Sequence, residues 1–171
     1  APLPADLKAA RQQPLDKATV EQVQAAVLAN DETKDYDFSS LSERVEQGLE
    51  LAGTPAAAAV RDAILDELKA ILKKARFRED TLLGKRKFAA ADRDKEIAEL
   101  GLMVRDDEPV EAQQAKQEEV DQVKAKFDEL TVAYDAASAY RKTLRDLLDE
   151  LTHDEDAAAE ALAASQSSLT A

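Results

Sequence analysis

The sequence predicts an all-α protein: a long antiparallel helical hairpin, built as a coiled coil, with a small N-terminal helical head. Three observations predict it. Charged residues make up 35% of the 171-residue chain and aromatic residues only 4%, and much of the 44% hydrophobic content is alanine, the best helix former. Four glycines and five prolines leave little for the turns of an all-β fold. Finally, the positions Val120, Val123, Phe127, Leu130, Tyr134, Ala137, Arg141, Leu144, Leu148 and Leu151 alternate spacings of three and four, and all but Arg141 are apolar. That period keeps one seam of a helix turned toward a partner helix and specifies a left-handed coiled coil.

The elements follow in order. Residues 1–17 hold Pro2, Pro4 and Pro14 and read as an arm with one short helix over 5–13. Thr19 with Gln22, and Ser40 with Glu43, have the spacing of capping boxes. They predict two helices, one carrying Val20, Val23 and Val27, the other Leu41, Val45 and Leu49, with an acidic loop over 31–37 between them. Residues 1–53 form the head with its flexible arm. Thr54-Pro55 is a cap followed by proline at the first helical position, so a long helix starts there. Its apolar face runs through Val60, Ile64, Leu68, Ile71, Leu72 and Ala75, and resumes at Phe88, Ile97, Leu100 and Val104, with a bend expected at Gly84. Gly101 through Pro109 carries the turn of the hairpin. Helices over 55–100 and 110–157 would each be about 70 Å long at 1.5 Å per residue, and the match supports pairing within one chain. The hairpin extends over 54–162, and the serine-rich 163–171 reads as a frayed tail.

The composition excludes much. Without cysteine there is no disulfide, thiolate nucleophile, Cys-ligated zinc or iron–sulfur cluster. No apolar run approaches the roughly 20 residues of a membrane-spanning helix. A net charge of −13 argues against direct nucleic-acid binding, which needs cations to displace phosphate counterions. The start Ala1-Pro2-Leu3-Pro4 fits methionine excision, signal cleavage or a cut from a longer chain; an intracellular origin is the expectation.

Catalytic and cofactor signatures are weak, so no catalytic residue, cofactor or metal site is assigned. Glu150 and His153 match one half of a helical di-iron motif, but His153 is the sole histidine and a complete site needs two. Asp35, Asp37, Ser39 and Glu46 have calcium-loop spacing without the glycine at the sixth position, where Ser40 stands. Gly84-Lys85 lacks the upstream glycine of a phosphate loop.

One island stands out. Lys73, Lys74, Arg76, Arg78, Lys85, Arg86 and Lys87 face only Glu79 and Asp80, and removing their net +5 leaves −18 on the rest of the chain. It is the candidate interaction site, for a phosphate, a nucleic acid or an acidic partner. The favoured reading is pairing inside the hairpin or simple solvation, with residue 86 expected opposite residue 124, near Asp121, Asp128, Glu129 and Asp135. Arg141 in the seam is expected to snorkel outward along its aliphatic stem, the alternative being a register-setting polar contact. The function expected is that of a non-enzymatic structural or interaction protein, with the hairpin as an assembly or adaptor element; the partner expected is a protein of unknown identity, or a second copy in a homo-oligomer. The alternative is an acidic regulator that binds a basic protein surface in the manner of a nucleic-acid mimic. Peripheral membrane binding is disfavoured by the charge and the few aromatics.

Overall fold

The computed structural model describes residues 4–170. The chain is all-α, and its two longest helices pack as a hairpin. The helices are α1 (Pro4–Arg11), α2 (Lys17–Ala29), α3 (Ser39–Glu50), α4 (Pro55–Arg105), α5 (Val110–Leu151) and α6 (His153–Thr170). Residues 1–3 of the expected arm and Ala171 of the expected tail lie outside the described residues. Helix α6 runs to Thr170, past Leu162 where helix was expected to end. None of the described helices is long and apolar enough to cross a membrane. Contacts gather the chain into two compact units: one joins the chain up to Lys73 to the chain from Lys142 onward, the other is Lys74–Arg141.

In the first unit, α2 buries Val20, Val23 and Val27, α3 buries Leu41 and Val45, α4 buries Ile64, Leu65 and Leu68, and α5 buries Leu144, Leu148 and Leu151. The helix starts differ from the expected capping boxes. Helix α2 begins two residues before Thr19, with Asp16 at its N-cap; the Thr19 hydroxyl donates to Asp16 Oδ2 at 2.7 Å. Asp37 organises the start of α3, accepting from the Ser39 hydroxyl at 2.6 Å and the Ser39 N–H at 2.9 Å. These bonds hold the Asp37 carboxyl below the usual carboxylate range. In both cases an aspartate upstream of the predicted Ser/Thr supplies the charge that a helix N-terminus favours. Glu46 pairs with Lys17 at 2.8 Å, so Asp37 and Glu46 of the calcium-like spacing both have protein partners. Thr54 caps α4, its Oγ1 accepting from the Ala57 N–H at 3.3 Å. Gly53 takes φ +81°, a conformation that favours glycine, and its N–H donates to Gln12 O at 2.9 Å.

Tyr36 anchors the acidic loop. Its hydroxyl donates to Glu67 Oε1 at 2.7 Å, and its ring lies 4.5 Å from that of Phe38. Burial, with the hydrogen bond to Glu67, pushes the phenol from 10.0 up to about 12. The unfolded chain therefore ionises this phenol first, and the stability it contributes is intact below pH 10 and lost as pH rises toward 12. In a titration of tyrosinate absorbance on the folded chain, Tyr36→Phe should remove a phase that ionises toward pH 12.

Arg61, only 5% exposed, ties this unit together. Its guanidinium donates to Gln13 O at 3.1 Å and Leu151 O at 3.4 Å and meets Glu155 Oε2 at 3.4 Å, while Arg11 holds the other Glu155 oxygen at 3.0 Å. The Leu151 carbonyl closes α5, and the arginine fork donates to it there.

In the second unit, Leu82, Ala89 and Leu130 form the buried core, with Phe127, Ala133, Tyr134 and Ala137 packed around it. Much of the α4 side of this packing is polar. Arg86 lies 5.4 Å from the Phe127 ring centroid and 5.6 Å from that of Tyr134, and Arg93 lies 4.2 Å from Phe127, within cation–π range. Arg141 does not snorkel outward; it pairs with Glu79 at 3.1 Å. Nearer the turn, Lys116 meets Glu96 at 2.6 Å, Glu119 at 3.3 Å and Glu99. The hydrogen bond to Glu96 leads the causes that raise the Lys116 amine, and the same bond holds the Glu96 carboxyl down. Helix α4 continues past Gly101 to Arg105, and Asp107 turns the chain at φ +55°. The turn thus lies later than its expected centre. The register moves with it, and Arg86 meets aromatic rings rather than the acids around residue 124.

Helix α4 runs through Gly84 without a break. A Cβ added there meets nothing within 4 Å. Gly84→Ala should therefore stabilise the chain by about 1 kcal/mol, read as a raised unfolding midpoint.

Candidate functional site: a basic and aromatic stripe on α4

The basic island divides. Arg86 turns into the second unit against Phe127 and Tyr134, and Arg78 is half-buried. Lys74, Arg76, Lys85 and Lys87 are exposed and form no ion pair among the described residues; Lys73, the last residue of the first unit, is exposed as well. Between these cations stand two aromatic rings in water: Phe77 is 74% exposed and Phe88 is 78% exposed. Phe88 therefore does not belong to the apolar face where the sequence reading put it, and neither do the exposed Ile97 and Val104.

Helical geometry explains the placement. At 100° per residue, Phe77 and Phe88, eleven residues apart, share one face about 16 Å apart along the axis. Leu82 and Ala89, which pack on α5, lie on the opposite side. The same eleven-residue step relates Lys74 to Lys85 and Arg76 to Lys87, so that Lys74-Ala75-Arg76-Phe77 is echoed by Lys85-Arg86-Lys87-Phe88. This short echo was the available signal for Phe77; a search for repeats of 20 to 50 residues passes over it.

The predicted seam residues of α5 lie as follows. Val120, Leu130, Leu144, Leu148 and Leu151 are buried, and Val123, Phe127, Tyr134 and Ala137 are half-buried. Elsewhere, Glu150 and His153 are both exposed. A shallow groove of about 230 Å³ between α2 and α3 is lined by Lys17, Val20, Glu21, Gln24, Ser42 and Glu46, with the Lys17–Glu46 pair across it.

The α4 stripe offers apolar area from two rings and positive charge from four side chains, on a chain that is strongly negative overall. That chemistry suits an acidic surface with shallow apolar hollows. No protein-family model, curated protein or solved structure matches the chain.

Proposed function

We propose that this chain is a non-enzymatic structural or adaptor protein, in which the α4–α5 hairpin serves as an antiparallel coiled-coil assembly element and the Lys74–Phe88 stripe docks a protein. The observation that carries the reading is the exposure of Phe77 and Phe88 on one face, amid the exposed Lys74, Arg76, Lys85 and Lys87, which form no ion pair among the described residues. Single exposed apolar side chains are commonplace. Two aromatic rings in register with repeated cations are an apolar patch with a charged rim, the composition of an interface core. The coiled-coil part rests on spacing: Ala75, Glu79, Leu82, Arg86, Ala89, Arg93 and Glu96 alternate steps of four and three on α4, as the seam does on α5. The other reading, an acidic regulator, draws on Asp128, Glu129 and Asp135, which are exposed and form no ion pair among the described residues.

The test is photo-crosslinking in cells that express the chain from its own genome. A benzophenone amino acid replaces Phe88 in one strain and the exposed Gln47 of α3, off the stripe, in another. The reading expects discrete protein adducts from position 88 and none of them from 47. Equal labelling from both positions, or none from 88, overturns it.

A further inference from the structure

The outward face of α5 has the chemistry that the α4 stripe lacks. Val132 lies on the side of α5 opposite Leu130 and Tyr134 and is 71% exposed. Around it on the same face are the exposed Glu118, Ala125, Glu129 and Ala136. Here too the step is eleven residues: Ala125 to Ala136 for the small side chains, and Glu118 to Glu129 for the carboxylates. The two phenyl rings of α4, about 16 Å apart, and the two alanines of α5 thus share one spacing. Lys74 and Lys85 on α4, and Glu118 and Glu129 on α5, repeat at that same interval.

Resting on the docking reading above, we propose that the occupant of the α4 stripe is the acidic face of α5 in a second copy of this chain. The two faces point away from each other, because each lies opposite the packing between α4 and α5 in the second unit. A contact of one on the other is therefore heterologous: every added copy covers one face and leaves another open. The assembly grows past two copies, into a ring where the rotation per copy closes and an open array where it does not.

Charge exchange between the faces tests this, read by light scattering on the purified full chain at low ionic strength. Circular dichroism confirms that each variant keeps the wild-type helix content. One variant carries Lys74→Glu with Lys85→Glu, the other Glu118→Lys with Glu129→Lys. Each alone should stay near 18.6 kDa, since its two faces now repel. Their mixture should grow past two chains, because each altered face meets its complement on the other variant. A mixture that stays at single-chain mass overturns the proposal, and so does either variant growing alone or assembly that stops at two chains. If the mixture fails while position 88 still crosslinks to a different protein, self-association is overturned and the docking reading stands. If position 88 yields no adduct, the docking reading fails with it.

Discussion

Replacing Leu144 and Leu148 together by alanine is expected to unfold much of the protein at ambient temperature. Both side chains are buried in the first unit, Leu144 to 1% exposure. Each truncation removes apolar contact and leaves a cavity that neighbouring helices only partly fill, at about 2–5 kcal/mol apiece. The sum approaches the whole stability of an ordinary domain, about 5–15 kcal/mol. Helix content by circular dichroism, followed through urea unfolding, checks the effect. Single variants should shift the midpoint to lower urea, and the double variant should begin with a substantial unfolded fraction. Near-wild-type stability in the double variant would mean that these leucines do not carry the core.

The second large effect is expected at Arg61. Its removal strands the Leu151 and Gln13 carbonyls and leaves Glu155 with Arg11 alone. Arg61→Ala should cost about 3 kcal/mol, the range found when one partner of a buried ion pair is deleted. Arg61→Lys should recover little of it, because a single ammonium cannot reproduce a fork that reaches three acceptors. The measurement is the same urea midpoint. Hydrogen exchange should further localise the loss to the Leu151–His153 junction. A lysine variant as stable as wild type would show that charge alone matters there.

The all-α class and the inward face of α5 were legible because nine of ten positions on that face are apolar, and alternation of three and four survives one arginine. The matching face of α4 was not. Beyond Ala75 its positions are held by Glu79, Arg86, Arg93 and Glu96, and apolar counting skips them. It settles on Phe88, Ile97 and Val104, which face water. The stabilisation on that side comes from arginine over aromatic rings and from the Glu79–Arg141 and Lys116–Glu96 pairs, which are visible only once the register is known. That register in turn depends on where α4 ends. Gly101 was read as a stop, although a glycine costs a long helix only about 1 kcal/mol. The basic island was legible as a charge run, but its division into inward Arg86 and outward lysines needed the helix face. The helix starts shifted for a local reason, because Asp16 and Asp37 act upstream of Thr19 and Ser40.

The measurement that tests the account most directly is the absolute mass of the wild-type chain by light scattering, over about a fifty-fold range of concentration at low and at high ionic strength, where screening lengths differ several-fold. The account predicts a mass that climbs past two copies with concentration at low salt and falls back toward 18.6 kDa as salt is added, with Phe77→Ser and Phe88→Ser together holding the chain at that value throughout. A wild-type mass fixed at 18.6 kDa under every condition would contradict it.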